Sequence, residues 1–254
     1  MSGKIKAITF DIWDTIFIND SDEPKRQSRG LESKALMRRT LVHQYLHRHN
    51  PVSKGAVNLG YNVADAAFRA VWYGQSVTWT VQERLSVLLK GLKRELPKSE
   101  MDELVKHHEE MELEISPEIA PGIVDAIKAL SKDYKLGVIS DAIFSSGWVL
   151  REILKKHDLF QYFSTCVFSN EANCSKPDPR MFEVAAKGLG VELSEIVHIG
   201  DREKKDVEGA HLVGAKAIYT TVVLNRGDDT KAEAHCSNYS ELKKIVDQLS
   251  QTGI

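Results

Sequence analysis

Four polar segments, each placed directly after a short apolar run, contain the residues of this chain best suited to chemistry. A carboxylate can attack an electrophile or hold a cation, a lysine can bind an anion, and a hydroxyl can donate a hydrogen bond. These residues are Asp11, Ser140, Asp141, Lys176, Asp201 and Asp206. Any one of them alone is equally well explained as a turn residue, a helix cap or an exposed loop charge. It is their succession in one chain that indicates a site.

The segments that must position these residues alternate between strand and helix. Apolar runs typical of buried strands are IKAITF before Asp11, then LGVIS, STCVF, IVHIG and AKAIYTTVV. Helical spacing separates them, in IVDAIKALSKDY, in 149–157, 180–189 and 204–213, and in the closing SELKKIVDQLSQ. This alternation predicts an α/β fold with a doubly wound parallel sheet, in which ligands bind outside the carboxyl ends of the strands.

The stretch between the first strand and Pro117 has a different pattern. Residues 19–30 are polar and rich in helix breakers, which predicts a linker, and the periodicity is helical over 31–49 and 52–115. Because the first strand must join the later sheet, this helical block is an insertion. We therefore predict a core domain of residues 1–18 and 117–254 and a helical cap domain of residues 19–116.

Composition bounds the class of protein. The 254 residues contain 34 basic and 36 acidic side chains without a block of like charge, which does not suggest a nucleic-acid partner. Cys166, Cys174 and Cys236 are few and odd in number, which favours a reducing compartment. We find no signal-like N-terminus and no apolar run approaching about 18 residues, so we expect a cytoplasmic protein without a membrane partner. Oligomeric state is left open.

Four motifs together resemble the haloacid dehalogenase-like hydrolase superfamily. They are DIWDT from Asp11, SD at Ser140 and Asp141, SKPDP around Lys176, and GDREKKD with Asp201 and Asp206. The resemblance implies a Rossmann-like core with a cap inserted between the first and second motifs. It also implies that Asp11 is the nucleophile, that Ser140 and Lys176 hold the transferring group, and that Asp201 and Asp206 bind Mg²⁺.

Elementary electrostatics supports those roles. A phosphate beside Asp11, Asp201 and Asp206 meets like-charge repulsion unless a cation intervenes. Mg²⁺ prefers hard oxygen ligands, which carboxylates and a main-chain carbonyl, here that of Trp13, can supply. Together with this support, the resemblance implies a Mg²⁺-dependent phosphatase that acts on a small-molecule phosphate ester through an aspartyl-phosphate intermediate.

Trp13 is the departure from the family's phosphatase pattern, which has a second Asp two residues after the nucleophile. An indole donates one hydrogen bond but does not exchange protons near neutral pH. Asp14 is the nearest substitute, although strand alternation would place it opposite Asp11 and favour a turn or capping role. Two alternatives stay open, namely a 2-haloacid dehalogenase, whose branch has Tyr at this position, and a catalytically weak binding protein.

An aromatic cluster in the predicted cap contains Arg69, Trp72, Tyr73, Gln75 and Trp79. With Trp13 and Asp141, we assign Trp72 and Tyr73 to substrate binding, where they could stack on a leaving group. Packing within the cap is the competing explanation. The histidines, including His107 and His108, lack ligand spacing and are interpreted as surface or packing residues.

The role of Asp11 can be tested directly. Asp11→Asn keeps the shape of the side chain but removes the anionic nucleophile, so we expect turnover to be lost with the fold intact. Phosphate release and circular dichroism measure the two quantities. Substantial residual turnover would argue against covalent catalysis by Asp11.

Overall fold

The computed structural model describes residues 4–227 and 229–251. Its centre is a six-stranded sheet with the order β3-β2-β1-β4-β5-β6, in which every neighbouring pair is parallel. The strands are β1 (Ala7–Phe10), β2 (Lys135–Ser140), β3 (Phe163–Phe168), β4 (Ile196–Gly200), β5 (Lys216–Thr220) and β6 (Ala234–Cys236). The predicted parallel α/β fold is therefore confirmed, and the first strand does join the later sheet.

The first strand lies in the middle of the sheet. Both of its edges are paired, and all of its side chains are buried. Phe10 is opposite Val138 of β2 and opposite Ile199 of β4. This register brings the ends of the three strands to nearly the same level. The strand order also reverses direction between β1 and β4, which is where ligands bind in open parallel sheets.

Helices cover both faces of the sheet. They are α7 (Ile123–Leu130), α8 (Gly147–Lys156), α9 (Ser169–Ala172), α10 (Pro179–Leu189), α11 (Glu208–Leu212) and α12 (Leu242–Gln251). Two buried clusters result, one on each side of β1. Ile8 and Phe10 belong to the first, and Ala7 belongs to the second. The alternation of side chains along β1 thus supplies both halves of the core.

The inserted block is helical, as predicted. It contains α2 (Lys34–His49), α3 (Lys54–Gln75), α4 (Val81–Gly91), α5 (Lys98–Glu109) and α6 (Met111–Glu114). Helix α4 begins with a capping box in which Thr80 and Glu83 bond each other's main-chain amides. The helices α2 to α5 share a third buried cluster, which includes Val42, Tyr61 and Leu104. The domain boundaries at residues 18 and 117 stay a prediction.

Short elements outside the predicted pattern include two that lie far apart in the chain. Residues 19–30 are not only a linker, because α1 (Glu23–Ser28) forms there with Pro24 in its first turn and Arg26 buried. The three-residue β6 pairs with β5 alone at the edge of the sheet. Both elements are too short to give a periodic pattern, so only their packing reveals them.

Among the described residues, no helix is long and apolar enough to cross a membrane. Cys166, Cys174 and Cys236 are free thiols.

His108 is one packing residue with a measurable consequence for stability. It is buried in the cap against Tyr61, its Nε2 has no hydrogen-bond partner among the described residues, and burial lowers its pKa to about 3. Below pH 6.5 the unfolded chain therefore binds a proton that the folded chain does not. Folding stability is consequently lost as the pH falls from about 6.5 toward 3.

We expect His108→Leu to be less sensitive to acid than the parent protein. The parent should lose about 2 kcal/mol through this residue between pH 6.5 and pH 5, and the variant should not. Urea unfolding at the two pH values measures the difference. His107→Leu, which changes an exposed neighbour, is the control and should behave as the parent does. Equal acid sensitivity of His108→Leu and parent would contradict this explanation.

Candidate active site

Asp11 directly follows the central strand, and its carboxylate is almost completely buried. Its Oδ1 accepts a hydrogen bond from the Ser140 hydroxyl at 2.7 Å and lies 2.8 Å from Lys176 Nζ. Among the described residues, no hydrogen bond or ion pair engages Oδ2. The two neighbours thus orient the carboxylate through Oδ1 and leave Oδ2 without a partner among the described residues.

Lys176 lies in the loop between α9 and α10, and several contacts hold that loop. The Lys176 amide donates to Asp141 Oδ1 at 3.0 Å, and Lys205 Nζ donates to the Lys176 carbonyl. The Lys176 ammonium also lies 2.5 Å from Asp206 Oδ1. Burial disfavours the charge, but Asp11 and Asp206 outweigh it and raise the pKa of Lys176 above its usual range. Lys176 is therefore a permanent cation between two of the predicted site carboxylates.

Asp201 and Asp206 come from the end of β4 and from the π-helical turn Glu203–Val207 that follows it. Single π-helical turns of this kind are frequent at functional sites. Asp206 packs against the backbone of Gly200, where an added Cβ would lie only 2.2 Å from the Asp206 Cγ. Only glycine at this position lets the carboxylate approach the strand end so closely.

Two residues of the site were missed in the sequence. His198 was included among the surface or packing residues, but it is buried and its Nε2 lies 3.2 Å from Asp206 Oδ1. A polar residue within a buried strand was the available indication. Arg226 donates hydrogen bonds to Asp201 Oδ2 through Nε and to Asp14 Oδ2 through Nη2. Arg226 lies in the irregular segment after β5, where no pattern points to it.

The carboxylate set fits a hard divalent cation. Oxygens of Asp11, Asp201 and Asp206 lie within 4.8 Å of one another, and Asp201 Oδ1 is buried without a hydrogen-bond partner among the described residues. Burial, followed by the charges of Asp206 and Asp11, raises the pKa of Asp201 to about 7. A bound divalent cation would restore the ionised form and occupy the unused oxygen. Whether the Trp13 carbonyl completes the set stays a prediction.

Asp14 is not arranged as strand alternation suggests. The strand ends at Phe10, and Ile12 O then accepts hydrogen bonds from three amides of a tight turn, in which Asp14 has φ 56°. The Asp14 carboxylate consequently lies on the same side as that of Asp201, and Arg226 donates hydrogen bonds to both. Asp14 Oδ1 accepts a hydrogen bond from the Asn19 amide at 3.1 Å, so the side chain caps this turn.

The predicted substrate-binding residues divide into two groups. Trp13, Trp72 and Tyr73 line one cleft beside the carboxyl edge of the sheet. Asp141 instead is buried, and its Oδ2 accepts from Trp72 Nε1 at 2.9 Å while its Oδ1 holds the Lys176 amide. Since both oxygens are engaged within the chain, this geometry assigns Asp141 to positioning the cap and Lys176 rather than to direct substrate contact.

Comparison with known proteins finds a family whose model matches most of the chain. The family model described as haloacid dehalogenase-like hydrolase matches residues 5–214. A glyceraldehyde 3-phosphate phosphatase from Methanopyrus kandleri is 29% identical over 141 residues, which are 52% of this chain and 58% of the relative. A phosphoserine phosphatase from Thermus thermophilus is 41% identical over 82 residues, 32% of each chain. The chain thus aligns with less than two thirds of the length of either relative.

Solved structures match over nearly the whole chain. A HAD phosphatase from Thermococcus onnurineus has a TM-score of 0.64 and 25% identity, and the match covers 95% of this chain and 98% of that one. The HAD-hydrolase YfnB from Bacillus subtilis, described as bound to magnesium, has a TM-score of 0.60 at 18% identity, with 96% and 99% covered. These likenesses support the fold described above.

Removing the Lys176 ammonium should make the free energy of unfolding depend more strongly on Mg²⁺. In Lys176→Met, Asp11 and Asp206 lose their buried partner, which we expect to cost about 3–5 kcal/mol of unfolding free energy in the absence of metal. Added Mg²⁺ should restore part of this loss, so its stabilising effect should be larger in the variant than in the parent. Denaturant unfolding with and without Mg²⁺ measures both effects. Lys187→Met, at an exposed position, is the control, and an equal Mg²⁺ effect in all three proteins would contradict the expectation.

Proposed function

We propose that the chain, which belongs to the haloacid dehalogenase-like hydrolase family, is a Mg²⁺-dependent phosphatase of a small phosphorylated metabolite. The observation that carries the proposal is the position of the Asp11 carboxylate. It is oriented by Ser140 and Lys176 and lies beside the Asp201 and Asp206 carboxylates. Two relatives with phosphatase names support the same chemistry. Placement in the cytoplasm is part of this proposal.

In the proposed reaction Asp11 is the nucleophile. Its Oδ2 attacks phosphorus, the bond from phosphorus to the ester oxygen breaks, and the leaving oxygen departs with the bonding electron pair. Water then hydrolyses the phosphoryl-aspartate to inorganic phosphate and free Asp11. Lys176 binds a nonbridging oxygen as a buried point charge. Asp11, Asp201 and Asp206 would hold Mg²⁺, which would offset the negative charge that the incoming phosphate adds.

Trp13 leaves this site without the proton donor that the leaving oxygen needs. Its ring lines the cleft, but an indole does not exchange protons near neutral pH. Asp14 does not replace it, because both of its oxygens are engaged by Asn19 and Arg226. We infer that the rate depends strongly on the stability of the departing anion, so aryl and acyl phosphates are the better substrates.

A panel of phosphate esters, assayed for phosphate release with and without Mg²⁺, tests the function. We expect turnover that chelation abolishes and that Asp201→Ala also abolishes, since Asp201 holds the cation beside Asp11. Undiminished phosphate release after chelation would contradict the role of the metal. Halide release from 2-haloalkanoates without metal would favour a dehalogenase, and no turnover in either assay would favour a binding protein.

The Trp13 position has a matched pair of variants. Trp13→Asp supplies a carboxyl group, which we expect to flatten the dependence of rate on leaving-group pKa, with gains of about 10²–10⁴-fold on alkyl phosphates. Trp13→Asn removes the same indole and introduces a side chain of the same size as Asp, but without a transferable proton. It should therefore keep the steep dependence of rate on leaving-group pKa. Rates for esters of graded leaving-group pKa are the measurement. Equal and shallow slopes for both variants and the parent would show that another residue supplies the proton.

A further inference from the structure

The cleft beside the catalytic edge is large and unusually basic. Its volume is about 630 Å³, and Trp13 and Trp72 lie on its wall. Six basic side chains line it, namely Lys34, Arg38, Arg39, Arg69, Arg84 and Arg202. Four carboxylates line it as well, those of Asp20, Glu23, Asp65 and Glu112. The cleft therefore has two more positive than negative side chains, which favours an anionic occupant.

Most of the buried charges in this cleft are already paired. Lys34 Nζ lies 3.0 Å from Asp20, 2.6 Å from Asp22 and 2.8 Å from Glu112. The other carboxylate oxygen of Glu112 accepts from the Ser145 hydroxyl. The cluster formed by Asp20, Asp22 and Glu112 is thus occupied by a lysine, and we assign it no metal.

Arg84 and Arg39 are also satisfied by the protein. Arg84 donates to Asp65 Oδ1 at 2.7 Å and to the Ile143 carbonyl at 3.0 Å. Arg39 donates to the Asn58 carbonyl at 3.2 Å. Neither guanidinium requires a ligand.

Arg38 is different. Its side chain is 6% exposed, yet among the described residues no hydrogen bond or ion pair engages its guanidinium, and its Nε is fully buried without a partner. The guanidinium carbon lies 3.5 Å from the centre of the Phe144 ring, and that of Arg84 lies 4.0 Å from the same centre. Stacking leaves the N–H edge of a guanidinium free, and a second cation nearby makes an unpaired buried charge still less favourable.

We infer that Arg38 binds a second oxyanion of the substrate, at the opposite end from the phosphate that Asp11 attacks. The substrate class is then a phosphate monoester that has a distal carboxylate or a distal second phosphate, because both match the planar fork of a guanidinium. This inference rests on the proposed phosphatase function. Arg69 and Arg202, which line the same cleft, strengthen its positive field without being buried as Arg38 is.

Substrate pairs that differ only in the distal group test the inference. We would compare n-alkyl phosphates with ω-phosphooxyalkanoates and α,ω-alkanediol bisphosphates over chain lengths of two to five carbons. The parent should prefer one doubly anionic series by about 10- to 100-fold in kcat/KM, the range of a charge-assisted bidentate contact. The preferred series identifies the oxyanion as carboxylate or phosphate.

Variants at position 38 then identify the residue responsible. Arg38→Met should lose the preference of the doubly anionic series over the n-alkyl phosphates, and Arg38→Lys should retain only part of it. Arg39→Met, at the adjacent position in the same cleft, should keep the preference. Because Arg38→Met removes an unpaired buried charge, it should unfold at the same or a higher temperature than the parent, whereas a purely structural residue would lower that temperature.

A binding measurement separates this inference from the proposed function. ω-Phosphonoalkanoates should raise the unfolding temperature of Asp11→Asn with Mg²⁺ present, and should do so far less in Asp11→Asn with Arg38→Met. If no ester is hydrolysed, the phosphatase proposal fails, and this comparison still decides the role of Arg38. If esters are hydrolysed but neither doubly anionic series is preferred at any length, or Arg38→Met keeps the preference, the inference is wrong while the phosphatase proposal stands.

Discussion

Three carboxylates at one end of a parallel sheet are the constraint on which the site depends. Asp11, Asp201 and Asp206 are buried close together, and like charges at such separations repel strongly where water is excluded. Two cations reduce this repulsion. Lys176 lies between Asp11 and Asp206, and Arg226 forms an ion pair with Asp201. Burial, together with the charges of Asp206 and Asp11, raises the pKa of Asp201, so these two cations do not fully offset those effects. The remaining imbalance is what a divalent cation would remove.

Asp206 is the most strongly held of the three. Its Oδ1 receives Lys176 Nζ and His198 Nε2, and its Oδ2 receives the Arg202 amide. Although burial opposes ionisation, these partners keep the pKa of Asp206 below its usual range. Asp206 is therefore a permanent anion, which fixes Lys176 in reach of Asp11. His198 is in turn held through Nδ1 by the Thr9 hydroxyl of the central strand.

The helical insertion and the carboxyl edge of the sheet share one carboxylate. Asp141 accepts from the indole of Trp72 on α3 and from the amide of Lys176, and Lys205 Nζ lies 3.4 Å from it. A second link joins the same regions, because the Ser175 amide donates to the Ser76 carbonyl at 2.7 Å. Movement of α3 would thus disturb the loop that positions Lys176. In this way α3, which lines the cleft, is coupled to Lys176.

Local pattern determined the parallel sheet, the helical insertion and the four motif positions, because strand and helix periodicity and the residues that end each strand are properties of neighbours in sequence. It also identified Asp11, Lys176, Asp201 and Asp206, since parallel strands must end at one edge. Only the tertiary structure decided which partners those carboxylates have. Arg226 reaches Asp201 from 25 residues away and Asp14 from 212 residues away. Arg38 differs from Arg39 only in what surrounds it. Pairing, burial and the absence of a partner depend on contacts between distant segments, and no local pattern records them.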